Sequence, residues 1–141
     1  MQQLIYSSAA VNPFSEAELA LLLSLARTNN ERVAVTGMLL YHDGSFLQVL
    51  EGEALVLDAL FVRIGRDKRH HRVLPLLKRD VEERRFGEWR MGFASLKNLP
   101  RNLPGYSDYL RLRGEPLEAG NAAVRLLAAF RDGRFRSYVG V

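Results

Sequence analysis

Apolar and polar side chains alternate from Gln3 to Ser8, which predicts a β-strand at once, with Leu4, Tyr6 and Ser8 on one face and Ile5 and Ser7 on the other. A turn at Asn12-Pro13 leads to Ser15 and Glu18. Their spacing is that of a capping box, in which Ser15 accepts from the backbone N–H of Glu18 while the Glu18 carboxylate reaches back. The apolar run through Leu25 and Ala26 that follows predicts a helix, ended by Asn29-Asn30. Val33 to Tyr41 is rich in strand-forming residues, His42-Asp43-Gly44 supplies a turn, and Ser45 to Leu50 reads as the returning strand of a hairpin, broken off by Glu51-Gly52. Leu57, Leu60, Phe61 and Ile64 then recur at helical spacing up to about Gly65. Val73 to Val81 is a further strand, placed at an edge or bulge by Pro75, and Trp89 to Leu96 is a fifth.

The order βαββαββ allows two right-handed crossover units. It predicts an α+β sandwich of the ferredoxin-like kind, a five-stranded mixed sheet with two helices on one face. After residue 97 the prolines at 100, 104 and 116 punctuate a tail in which Val124, Leu127 and Phe130 keep helical register, so a C-terminal helical extension is expected over Leu117 to Phe130. That helix either covers the free face of the sheet or joins another subunit.

Composition narrows the chemistry. The chain has 141 residues, 48% of them hydrophobic and 26% charged, the size and balance of one globular domain. Without cysteine there is no disulfide framework and no thiolate nucleophile, and with three histidines no metal site is expected. No stretch of eighteen apolar residues and no signal-like start are present, so no membrane contact and a cytoplasmic location are expected. The net charge of +4 is unevenly spread. Residues 1–61 hold Arg27 and Arg32 against seven acids, and the remainder holds 18 basic groups against nine acids. Such polarity suits an acidic partner, a phosphate-bearing cofactor or solubility; nucleic acid is not the expected partner.

Several residues stand out as candidate site groups. Gln48 sits within Phe46-Leu47-Gln48-Val49-Leu50, where a buried amide without partners costs about 1–3 kcal/mol. Tyr6 is placed to aim its hydroxyl at the same spot, although a strand tyrosine is ordinarily core. One of Asn29 and Asn30 is explained as a left-handed helix cap, and the other is not. Asp67-Lys68-Arg69-His70-His71-Arg72 could neutralise phosphates, and is otherwise a solvated basic loop. Trp89, Met91 and Phe93 alternate onto one face as core. No Ser-His-acid arrangement, glycine-rich phosphate loop or isolated carboxylate pair is present. Residue chemistry alone thus reaches an α+β domain with a polar spot between its first and third strands.

Six segments taken together resemble the BLUF pattern (blue light using flavin): Leu4–Ser8, Arg27–Asn30, Val35–Tyr41, Gly44–Gly52, Asp67–His70 and Arg85–Met91, spanning residues 2 to about 96. The resemblance implies a noncovalently held flavin between the two helices, usually FAD, with FMN and riboflavin as the alternatives. It implies that Tyr6 is electron and proton donor to the excited flavin, that Gln48 lies between tyrosine and ring, and that Asn30 bonds the ring's polar edge. Arg63, Asp67, Arg69 and His70 resemble the set near ring, ribityl chain and phosphates. Trp89 and Met91 match the last-strand pair that relays the signal, and which of them faces the flavin in the dark is left open. Ser8 matches a small polar residue of less defined role.

On this basis residues 1–97 form the flavin-binding sensor. Residues 98–141 form the output or oligomerisation segment, since no cyclase or phosphodiesterase follows. The expected partners are a second copy of the chain and a downstream protein, with no enzymatic turnover. The alternatives are a flavin-free module binding nucleic acid or an acidic protein, and a flavin enzyme, for which a substrate pocket and a reductant route have no counterpart in the sequence.

Overall fold

The computed structural model describes residues 1–84 and, as backbone, residues 92–95. Its elements are β1 (Gln2–Ala10), α1 (Glu16–Arg32), β2 (Thr36–His42), β3 (Ser45–Gly52), α2 (Ala54–Arg66), β4 (His70–Asp80) and β5 (Gly92–Ser95). The capping box forms as its spacing predicts: Glu18 N donates to Ser15 Oγ at 3.1 Å and Ser15 N to Glu18 Oε1 at 3.1 Å. The hairpin closes through Asp43 (φ 46°) and Gly44 (φ 84°), both left-handed, which matches the twist of a two-residue turn to the flanking strands.

The sheet order is β4-β1-β3-β2-β5, antiparallel throughout except for the parallel β2–β5 pair. This is the expected mixed, ferredoxin-like α+β sheet. Pro75 lies on the edge strand, as its missing N–H requires, and the β1–β4 pairing carries two register shifts beside it. Leu19 and Leu23 of α1 and Leu57 of α2 pack on Leu4, Tyr6, Leu39, Tyr41, Phe46 and Leu50, so both helices lie on one face. Ile5, Met38, Leu40, Leu47 and Val49 point to the other and are fully buried. β2 and β3 touch so closely at Gly37 that a Cβ there would stand 1.9 Å from the Val49 carbonyl oxygen; only glycine fits.

Several boundaries differ from the sequence expectation, among them the start of β2, at Thr36 and not Val33, because the left-handed Ala34 lies between. Asn29-Asn30 does not end α1, which runs to Arg32, and the left-handed residue behind it is Ala34 (φ 54°). β3 is not broken at Glu51-Gly52, because Glu51 is held by a side-chain bond from Gln3 on β1. β4 begins three residues before Val73, at His70, which is anchored on both ring nitrogens. Trp89, Met91 and the tail 98–141 lie outside the described residues. No described helix is long and apolar enough to cross a membrane.

Candidate functional site

Tyr6 and Gln48 are cross-strand partners on β1 and β3, and alternation turns both toward the helices. The Tyr6 hydroxyl donates to Gln48 Oε1. The pair is nearly closed to solvent, with Tyr6 4% and Gln48 8% exposed. Phe61 of α2 holds the phenol from the side, its ring centroid 5.6 Å away at 60°. Burial pushes the Tyr6 hydroxyl well above the usual phenol range, and the nearby Asp67 charge acts in the same direction. The phenol therefore keeps its proton at any physiological pH.

The pair forms part of the floor of a cavity of about 270 Å³ between α1 and α2. Leu22, Leu25 and Ala26 line it from α1, Leu60 and Ile64 from α2, and Leu39, Phe46 and Leu50 from the sheet. Asn29 and Asn30 enter the lining from the last turns of α1. Asn30 is 3% exposed, yet its side-chain amide makes no hydrogen bond among the described residues. Its backbone carbonyl is busy, accepting from Val33 N at 3.2 Å and Val35 N at 2.9 Å. Because the helix continues past residue 30, the amide is turned into the cavity instead of capping.

Charge gathers where α2 meets β4. Arg63 and Asp67 line the cavity together with Arg69 and His70. Arg69 grips Asp67 with Nη2 at 2.6 Å and Nε at 3.0 Å, and its hydrogen bonds hold the Asp67 carboxyl down to about 2. The same guanidinium lies 6.0 Å from the Phe14 ring centroid. Arg63 makes no hydrogen bond or ion pair among the described residues, and so has all its donors to offer.

His70 is different. Its Nε2 lies 2.6 Å from the Ile64 carbonyl, which can only accept, so Nε2 donates; its Nδ1 lies 2.8 Å from Ser8 Oγ. Both ring nitrogens are engaged by the protein. His70 thus fastens the end of α2 to β1 two residues from Tyr6, and gives Ser8 a partner.

The fold therefore brings Tyr6, Asn30, Gln48, Arg63, Asp67, Arg69 and His70 to one cavity. Sequence reading missed its walls, above all Phe14 and Leu22, and the Phe61 ring beside Tyr6. The available signal was the run Leu21-Leu22-Leu23, since three consecutive leucines cannot all face the core of a two-layer sandwich, and Leu22 is left for the cavity.

Residues 1–92 match the family model of BLUF, sensors of blue light using FAD. The chain belongs to the BLUF family. It is 36% identical over 104 residues to the photoactivated adenylate cyclase subunit alpha of Euglena gracilis, a match covering 72% of this chain and 10% of that protein. A beta subunit from Euglena longa is 33% identical over 93 residues, covering 65% of this chain and 11% of its own. The chain thus spans about a tenth of these relatives, and the matched part is the sensor alone.

Among solved structures, the fold is similar to BlrP1 of Klebsiella pneumoniae with FMN and cyclic diGMP (TM-score 0.77, 30% identity, 94% of this chain and 34% of that one). It is also similar to the dark-state BLUF protein BlrB (TM-score 0.68, 28% identity, 93% and 95%).

Proposed function

We propose that this BLUF chain is a blue-light sensor in which Tyr6 and Gln48 couple the excitation of a noncovalently bound flavin to the protein. The observation that carries the proposal is the Tyr6–Gln48 hydrogen bond at the floor of an apolar cavity into which the Asn30 amide faces without a partner. A flat aromatic ring with a polar edge suits those walls and that amide, and a phosphorylated side chain suits the nearby Arg63 and the Asp67–Arg69 pair. FAD, the family's flavin, is the proposed occupant, with FMN and riboflavin as alternatives.

A bound flavin supplies the blue-light chromophore and, once excited, a strong oxidant. The rest belongs to the chain. Asn30 orients the ring edge, Arg63, Asp67 and Arg69 hold the polar chain, and His70 steadies the wall through Ser8 and Ile64. Tyr6 is the electron and proton donor. Gln48 now accepts the Tyr6 proton on Oε1; a half-turn or tautomerisation of its amide presents a donor where an acceptor stood. The neighbouring β2–β5 pair then meets an altered hydrogen-bond pattern beside Leu39, the cross-strand partner of Gln48, and Trp89 and Met91 are the proposed relay.

Residues 1–97 are the sensor and residues 98–141 the output segment, acting by association with a second copy or a downstream protein and not by turnover. The cyclase activity named for the Euglena relatives is not carried over to this chain, which matches about a tenth of each. The flavin-free reading is disfavoured by the family.

Absorption spectra of the purified protein with FAD, in darkness and after blue light, test the proposal. A reversible small red shift that is absent in Tyr6→Phe and Gln48→Leu, both still binding flavin, is expected. A protein that cannot be loaded with flavin, or variants that shift like the wild type, would refute it.

A further inference from the structure

We infer that Arg84 is a positioning residue for the photoresponse, a clamp that ties the turn behind Asn30 and the ends of β2 and β3 to the connection leading into β5. The inference rests on the photoreceptor reading above. β4 ends at Asp80 on one edge of the sheet, and by Arg84 the chain has reached the ends of β2 and β3, with β2 lying three strand spacings of about 4.8 Å from β4. Arg84 is where that crossing is fastened.

Its Nη1 donates to Thr36 Oγ1 at 2.9 Å and to the Glu51 carbonyl at 2.8 Å, and its Nη2 to the Ala34 carbonyl at 2.6 Å. Each acceptor stands on a different piece of structure: the first residue of β2, the end of β3, and the turn after α1. A planar fork of fixed donors can hold three such oxygens at once, and a lysine ammonium on a flexible stem cannot do so in one geometry.

The gripped turn is unusual. Ala34 is left-handed at φ 54° without being glycine, a conformation that persists only where surrounding bonds enforce it. The same turn closes on Asn30, whose backbone carbonyl accepts from Val33 and Val35 and whose side chain lines the cavity. On the far side, β5 pairs with β2 from Met38 to Tyr41, and Leu39 is the cross-strand partner of Gln48. A displacement of β2 beside Leu39 is therefore felt at Thr36, which Arg84 ties to Ala34 and so to the helix end that presents Asn30. The clamp favours return to the arrangement in which Tyr6 donates to Gln48 Oε1 to the extent that a displacement of β2 after light lengthens its bonds to Thr36 and Ala34.

The test uses the full chain loaded with FAD. Arg84→Met keeps the stem and removes the fork; Thr36→Val removes one acceptor and keeps a β-branched strand residue. Both variants are expected to show the wild-type red shift, and Arg84→Met to recover in darkness about three- to tenfold more slowly, with Arg84→Lys and Thr36→Val in between. The light-minus-dark difference in amide exchange over Gly92–Ser95 should shrink in Arg84→Met. A purely structural residue would lower the Tm and leave both readouts unchanged. Recovery that is unchanged or faster in Arg84→Met overturns the inference. If that variant fails to fold, unchanged or faster recovery in Thr36→Val overturns it instead. A wild type that does not shift removes the photoreceptor reading and this inference together; a wild type that shifts, with variants recovering alike, removes this inference alone.

Discussion

Two buried polar pairs join the same two strands on opposite faces of the sheet. Tyr6 faces Gln48 on the helix side, and three residues along Gln3 faces Glu51 on the other. The second pair is enclosed by protein: Gln3 Nε2 donates to Glu51 Oε2 at 2.9 Å, and Gln3 Oε1 accepts from Arg79 Nε at 3.1 Å across the sheet edge. The first pair instead opens onto a cavity with an unbonded amide at Asn30. Burial of polar groups therefore does not mark the site. What marks it is a polar pair whose neighbourhood the protein leaves open, while a closed row such as Arg79–Gln3–Glu51 spends its hydrogen bonds on holding three strands in register.

The sharpest contrast should come from exchanging each glutamine for leucine. Gln48→Leu is expected to lose the light-driven red shift completely with a modest change in stability. Gln3→Leu is expected to keep the full shift while unfolding more easily by about 1–3 kcal/mol, as Glu51 and Arg79 each lose a bonded partner. Paired illuminated spectra and denaturant titrations separate the two, and a Gln3→Leu protein without a red shift would erase the distinction between the faces.

A smaller effect is expected at Asn30. Asn30→Ala should weaken flavin affinity about tenfold, one hydrogen bond's worth, measured by equilibrium binding. Alanine is the better helix former, so flavin-free stability should not fall, which is the opposite of the pattern for a residue of the closed row.

The smallest effect lies at the cavity's charged rim. Arg69 holds the Asp67 carboxyl below its ordinary value of 3.8, at about 2. Because the folded value is depressed, the stabilisation is present above pH 4 and fades as pH falls through about 2. The Asp67 side chain is 33% exposed, so solvent screening limits the effect to under about 1 kcal/mol. Asp67→Asn should be slightly less stable than wild type at pH 6, with the gap narrowing as pH falls toward 2, in paired thermal melts. A gap that widens on acidification would contradict the assignment.

Most of the architecture was legible in the chain because it rests on local signals. The Ser15–Glu18 box, the Asp43-Gly44 turn and the edge position required by Pro75 each depend on neighbours in sequence. What misled was long-range. Asn30 reads as a helix cap until the cavity gives its amide another place to go. Glu51-Gly52 reads as a strand break until Gln3, 48 residues earlier, supplies the bond that keeps Glu51 in the sheet. His70 reads as part of a solvated loop until Ser8 and Ile64 take both its nitrogens. For the candidate site, individual residues were weak signals and only their joint pattern pointed to a flavin. Phe61 beside Tyr6 and the Arg84 clamp could not be inferred, since nothing adjacent to them announces a partner across the fold.

The irregular outer strand has a consequence for how the protein behaves when crowded. β4 offers eleven residues along one side of the sheet, long enough to template another strand. Pro75 removes an amide at mid-length, two register slips disturb the ladder beside it, and Arg72 and Lys78 stand exposed along the same strand. A visiting strand would meet a missing donor and bulky charged side chains, among them Lys78, which is already paired with Asp58. On this side, that irregularity opposes edge-to-edge pairing with a visiting strand.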